Sequence, residues 1–207
     1  MTELNPNTEN RAYRKSLAGT GLIYLGFVEY EVRVLNLSVS GFLAELKLDV
    51  DLKDVFEALQ VSPVIDIYLP EMRLAGEAEV VRVDSIENGF HIGIEFRNVS
   101  YDVDNLLYNR RAYRKNMTAS GHMVINGLGH AFSTANVSVD GLMIRILGHV
   151  DVEEGAVTHF DFKHLELQGD ARVVWVDTDD NSTLMGLQYI RLERDEIKGV
   201  PQFVRPL

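Results

Sequence analysis

A chain that repeats its own sequence is constrained to build the same architecture more than once, and this one repeats along most of its length. Arg-Ala-Tyr-Arg-Lys stands at 11–15 and again at 111–115, an offset of 100 residues. "NLSVSG" at 36–41 returns as "NVSVDG" at 136–141 with the same offset. Farther on, "GEAEVVRVD" at 76–84 matches "GDARVVWVD" at 169–177, and "IGIEF" at 92–96 matches "MGLQY" at 185–189. Gly76 and Gly93 are as far apart as Gly169 and Gly186. The copies diverge in length only before this, where the span from Gly41 to Gly76 is seven residues longer than that from Gly141 to Gly169. A chain of 207 residues therefore reads as two tandem domains, 1–104 and 105–207, each large enough to bury a core of its own.

The extra length in the first copy falls near "DLKDVFEAL" at 51–59, where Leu52, Val55, Phe56 and Leu59 keep helical spacing and predict a short helical insertion. Elsewhere the period is two. "EVRVLNL", "FLAELKL", "HFDFKHLEL" at 159–167 and "ARVVWV" at 171–176 alternate apolar and polar residues as half-buried strands do. "DSIENG" at 84–89, "DTDDNS" at 177–182 and Asn126-Gly127 are turn sequences between strands, the last a strong hairpin signal because both residues tolerate positive φ. Many short strands broken by Gly, Asn and Asp predict a small antiparallel barrel or sandwich in each copy. A helix is expected after each copy, at "SYDVDNLLYNR" 100–110, capped by Ser100, and at "RLERDEIK" 191–198. The domain boundary would then lie near 98–108.

Charge narrows the partners. The chain carries a formal net charge of −11, so its overall field repels nucleic acid and anionic membranes, and any anion site must be local. It has no cysteine, which excludes disulfides, thiolate metal sites and cysteine nucleophiles. The polar start "MTELNPNTEN" lacks the cationic and apolar regions of a secretory signal. The longest apolar run, "VSPVIDIYL", is broken by Pro63 and Asp66, too short to cross a bilayer. The expectation is a soluble, cytoplasmic protein without membrane insertion.

Against that acidity the two basic segments stand out. Arg11, Arg14 and Lys15 form one, and Arg110, Arg111, Arg114 and Lys115 the other. Guanidinium forks match phosphate oxygens and the O6/N7 edge of guanine, and they stack on flat rings. Asn36, Ser38 and Gly41, repeated as Asn136, Ser138 and Gly141, supply an amide, a hydroxyl and a residue without Cβ at a strand end. Such groups can either close a hairpin or hold a base edge or phosphate, and the two roles are compatible.

An Arg-x-x-x-Arg element followed about twenty-five residues later by an Asp/Asn-x-Ser-x-x-Gly element resembles the PilZ domain, as do the downstream Gly-x-x-x-Val-Val and Gly-aromatic strands. The resemblance implies a mainly β chain of two tandem six-stranded antiparallel barrels, each followed by a short helix. It also implies a receptor for the bacterial second messenger cyclic di-GMP, with no cofactor and no metal, regulating motility, biofilm or polysaccharide output through an unidentified effector protein; a homo-oligomer is compatible with it. The implied ligand residues are Arg110, Arg111, Arg114, Lys115, Asn136, Ser138 and Gly141 in the second domain, and Arg11, Arg14, Lys15, Asn36, Ser38 and Gly41 in the first. The second set is fuller. Arg110 and Arg114 satisfy Arg-x-x-x-Arg, whereas Asn10 occupies the matching position in the first copy, and lysine at 15 and 115 keeps charge but loses the bidentate fork.

Enzyme signatures are absent from the sequence. The six histidines show no metal-protease spacing, regular alternation would put His159 and Asp161 on one strand face and His164 on the other, and no nucleophile elbow or phosphate-cradling glycine loop occurs. Trp175, matched by Arg82 in the first copy, reads as core or as a residue at a site mouth. The alternative to a nucleotide receptor is a barrel module whose basic segments contact an acidic protein surface.

Overall fold

The computed structural model describes residues 15–47, 52–101, 112–194 and 197–203. The chain divides into two compact units, Met1–Asn109 and Arg110–Leu207.

In the first unit, β1 (Lys15–Leu25), β2 (Val28–Ser38), β3 (Gly41–Lys47), β4 (Val64–Leu69), β5 (Leu74–Ile86) and β6 (Gly89–Tyr101) close into an antiparallel barrel in the order β1-β2-β3-β6-β5-β4, with β4 pairing back onto β1. The period-two pattern does the sorting. Val32 and Val34 on β2, Ala44 and Leu46 on β3, and Ile92 and Ile94 on β6 all point inward and are buried. Each of these valine, leucine and isoleucine side chains contributes about 1.5–3 kcal/mol on full burial relative to exposure. Closure removes both sheet edges, which a six-stranded open sheet would leave available for unwanted pairing.

The second unit repeats the plan. β8 (Ser120–Ile125), β9 (Leu128–Val137), β10 (Gly141–Leu147), β11 (Val157–Phe162), β12 (Leu167–Thr178) and β13 (Ser182–Leu192) form the order β10-β13-β12-β11-β8-β9, and β9 pairs with β10 to close it. A two-residue strand, β7 (Lys115–Asn116), lies against the end of β9. It continues the line of β8, so β7 and β8 together stand where the first unit has the single strand β1. The core holds Met123, Ile144, Phe160, Phe162 and Val173.

Each barrel has two unlike ends. One carries the turn between the second and third strands, at Ser38–Gly41 and Ser138–Gly141. The other is plugged, differently in the two units. In the first, α1 (Leu52–Val61) occupies the seven-residue excess and inserts Val55 into the core, while Phe56 sits edge-on to Phe90 with centroids 6.4 Å apart. In the second, a loop does the same work. Val150 is buried there, its N–H donates to Thr183 Oγ1 (3.0 Å), that hydroxyl donates to the Gly148 carbonyl (2.9 Å), and Asn126 Nδ2 reaches the Asp151 carbonyl (3.0 Å).

Several local expectations are corrected. "HFDFKHLEL" is not one strand: Lys163–Leu165 form a 3-10 turn, and Glu166 takes a left-handed φ of 53°, so the chain reverses between β11 and β12. The first unit makes the same reversal at Pro70–Met72 and Arg73. No helix occupies the described part of 191–198; Arg191 and Leu192 end β13, and the residues after them bend and turn. Register with β12 wins there over helix propensity. The backbone of Ser100 belongs to β6, opposite Ala75; the remainder of the expected 100–110 helix, and with it the domain boundary, lies outside the described residues. No helix among the described residues is long and apolar enough to cross a membrane.

Candidate functional site

The two sequence motifs of each unit, some twenty residues apart in the chain, are adjacent in the sheet. Lys115 pairs with Val137 and Asn116 with Asn136, so the basic segment enters the barrel along the strand that carries the Asn-x-Ser-x-x-Gly turn. On its other side Asn136 stands opposite Met143 of β10. The first unit reproduces this register, with Lys15 opposite Leu37, Ser16 opposite Asn36, and Asn36 opposite Leu43. Antiparallel pairing thus brings the end of the basic segment beside the strand that carries the asparagine, at the same end of each barrel.

Arg114 is exposed and Lys115 half-buried, immediately before and at the start of β7. Arg110 and Arg111, and in the first unit Arg11 and Arg14, lie outside the described residues, as does the side chain of Lys15. What holds β7 in place is Thr134, 2% exposed on β9. Its Oγ1 donates to the Met117 carbonyl (2.6 Å) and accepts from the Ala119 N–H (3.0 Å), and its own N–H donates to the Ala119 carbonyl (2.9 Å). The irregular link 117–119 is therefore satisfied although it belongs to no strand.

Asn136 is half-buried, and the only hydrogen bond of its side chain among the described residues runs from Nδ2 to Met143 Sδ (3.2 Å). Sulfur is a weak acceptor, so the amide keeps most of its hydrogen-bonding capacity. Ser138 is the opposite case. At 3% exposure its hydroxyl donates to the Gly141 carbonyl (3.2 Å) and accepts from the N–H groups of Asp140 (3.3 Å) and Gly141 (3.1 Å). Its bonding capacity is used within the turn. Ser38 likewise donates to the Gly41 carbonyl (3.1 Å) and lies 3.2 Å from Ser40 Oγ. Gly141 and Gly41 serve the sheet as well: a Cβ at either would strike a carbonyl of the neighbouring strand, that of Leu187 or Ile94. Neither takes a positive φ.

Three residues beside the turn were not singled out as site residues by sequence. Asn116 is one, facing Asn136. Asp140 and Tyr189 are the others: the Tyr189 N–H donates to the Asp140 carbonyl (3.0 Å), its ring stacks on Phe160 at 5.6 Å, and its hydroxyl is buried without a hydrogen-bond partner. Burial first, and then the charge of Asp140, hold the phenol above the ordinary tyrosine range. The available signal was the difference between copies, since the first has Ser16, Ser40 and Phe96 at these positions.

Trp175 is half-buried and packs over Gly186, its partner across β12 and β13, just past a bulge; Arg82 and Gly93 repeat the pairing and the bulge. Arg82 itself pairs with Asp84 at 2.6 Å. An open cleft of about 380 Å³ at the turn end of the second barrel is lined by Asp161, Lys163, Glu166, Gln168, Glu193 and Arg194. Arg194 is paired with Glu166, and acids outnumber bases, so its chemistry does not suit an anion. His159 bonds to Asp170 (3.0 Å), not to Asp161 or His164. No cluster that could hold a metal ion occurs among the described residues.

Residues 108–205 match the PilZ domain family, coinciding with the second unit to within two residues at each end. No curated protein matches the chain. Among solved structures, the chain is similar to the PlzA protein of Borreliella burgdorferi in complex with cyclic di-GMP, at 11% identity over 89% of this chain and 84% of that one, with a TM-score of 0.31. It is similar to the Bacillus subtilis inhibitor of motility MotI/DgrA, at 8% identity over 86% and 90%, with a TM-score of 0.38. It is also similar to YcgR of Escherichia coli in complex with cyclic di-GMP, at 11% identity over 84% and 76%, with a TM-score of 0.33.

Proposed function

We propose that this chain is a non-enzymatic receptor for cyclic di-GMP, and that the second unit, the one that matches the PilZ domain family, is the binding unit. One observation carries the reading: β7 pairs with β9 so that Lys115 and Asn116 run alongside Asn136, which unites a cationic arm with an under-used amide. The ligand has two phosphates and two guanines. Arg110, Arg111, Arg114 and Lys115 would take phosphates and guanine edges, and Asn136 a base edge. Ser138 and Gly141 act through the turn, holding Asn136 at the strand end, because the Ser138 hydroxyl is already bonded within it. Binding would order the arm against the second barrel and shift the angle between the two units, passing the signal to an effector protein in the cytoplasm that governs motility, biofilm or polysaccharide output. Superimposable scattering profiles with and without saturating ligand would refute the shift while leaving binding intact. The net charge of −11 favours a protein partner over nucleic acid.

For the first unit a second reading is favoured by charge. Residues 1–109 hold 18 acidic and 9 basic side chains, against 13 and 11 in residues 110–207, so the first barrel repels a doubly anionic ligand much more strongly. We read it as a protein-interaction module that has kept the barrel. Calorimetric titration of cyclic di-GMP into the wild type, Arg114→Ala and Arg14→Ala, with GTP as control, separates these assignments. Saturable binding with one site, lost in Arg114→Ala and kept in Arg14→Ala, is expected. Absence of heat at high micromolar ligand, or loss with Arg14→Ala alone, would overturn them.

A further inference from the structure

The first barrel spends conformational energy to display an aromatic side chain. The hairpin between β1 and β2 turns on Gly26 (φ 59°) and Phe27 (φ 69°), the hairpin between β8 and β9 on Asn126 (φ 50°) and Gly127 (φ 78°). Both turns need two positive φ values, for which Asn-Gly is the favoured pair. Phenylalanine in the left-handed region is strained, and here the ring gains little burial in return, being 70% exposed. A strained, exposed aromatic where the sister turn has glycine is better explained by recognition than by folding.

Phe27 is not isolated. Gly26 lies against Ala58 of α1, near enough that a Cβ on it would press on the Ala58 Cβ at 2.9 Å. The pairing of Tyr24 with Asp66 brings the start of β4 alongside the same turn. The plugged end of this barrel accordingly gathers Phe27, Val28, Phe56, Val61 (88% exposed) and Val64, all exposed. The second barrel has no helix there. Exposed Glu87 accompanies the patch, as does Glu57, which is paired with Lys53 of the same helix at 3.6 Å, on a unit whose side chains are acidic by two to one.

We propose that this end of the first barrel, formed by the Gly26–Phe27 turn, α1 and the start of β4, is a docking surface for a basic amphipathic segment of a protein partner, with Phe27 as its anchor. Apolar contact with Phe27, Val61 and Val64 supplies the attraction, and the acidic excess of the unit as a whole favours a cationic rim. This rests on the reading of the first unit as an interaction module and is independent of cyclic di-GMP, because the surface lies at the opposite end of the barrel from the Ser38–Gly41 turn.

The test is an NMR titration of the full-length chain with an amphipathic peptide of leucine and lysine, and with a leucine and glutamate peptide as control. Shifts confined to residues 26–28 and 56–64 are expected with the lysine peptide and none with the control. Phe27→Gly and Val61→Lys should each weaken binding at least tenfold, and Phe27→Gly should leave the melting temperature unchanged or raised, since it relieves the turn. Shifts elsewhere on the first unit would overturn the location and spare the module; no shift in the first unit at millimolar peptide would overturn both. Binding undiminished in both variants would reduce the effect to bulk charge attraction and also refute the site.

Discussion

Thr134 is a hydroxyl where its counterpart in the first barrel, Val34, has a methyl group, and both are buried. The hydroxyl bridges Met117 and Ala119, so Thr134→Val keeps the shape and strands a carbonyl and an N–H. The expected cost is about 1–3 kcal/mol in the second unit, read as a lowered denaturant midpoint that Thr134→Ser largely restores; an unchanged midpoint would remove Thr134 from this role. Tyr189 predicts the opposite sign. Its hydroxyl is buried and unpartnered, and Phe96 fills the matching place, so Tyr189→Phe should stabilise by about 1 kcal/mol. Because the folded phenol holds its proton more tightly than the unfolded one, its contribution is complete below the ordinary tyrosine value of 10.0 and is lost as pH rises above it. The wild type should therefore lose stability above pH 10 more steeply than Tyr189→Phe, and parallel alkaline curves would contradict the assignment. Sequence alone could show that Tyr189 replaces a phenylalanine; that its hydroxyl ends unpartnered beside Asp140 depends on how β13 packs.

At the level of strands and turns, the glycines of the repeated motif are explained by neighbours and not by backbone freedom. Gly141 begins β10, and a Cβ there would meet the Leu187 carbonyl of β13. Gly141→Ala should part β10 from β13 and cost about 1–3 kcal/mol, seen as faster amide exchange at Leu142 and Gln188; unchanged exchange would show that the strands can yield. The Asn126-Gly127 hairpin was legible because its chemistry is local. The Gly26–Phe27 hairpin was not, since phenylalanine carries no turn signal and the conformation is imposed by the pairing of β1 with β2. "HFDFKHLEL" misled for a related reason. Its alternation runs through a tight 3-10 reversal that lacks both glycine and proline, and only the partners of Leu167 and Phe162 reveal two strands.

Across the whole molecule, two barrels of one design carry unequal charge and unequal plugs, and the division of labour proposed for them should be visible in heat. If cyclic di-GMP binds the second unit alone, ligand at 100 times the dissociation constant should stabilise that unit by about 2.7 kcal/mol and raise only its calorimetric transition; a shift of the other transition instead would reverse the roles. The duplication, the β period, the helical insert and both motifs could all be read from the chain, because repeats, alternation and turn residues are recorded in local order. Local order does not record which segments become neighbours. That Asn116 faces Asn136, that Ser138 is sealed inside its turn, that Thr134 holds the arm and that Phe27 stands out beside α1 were decided by barrel closure. Closure sets strand register across a hundred residues, and register determines which side chains meet.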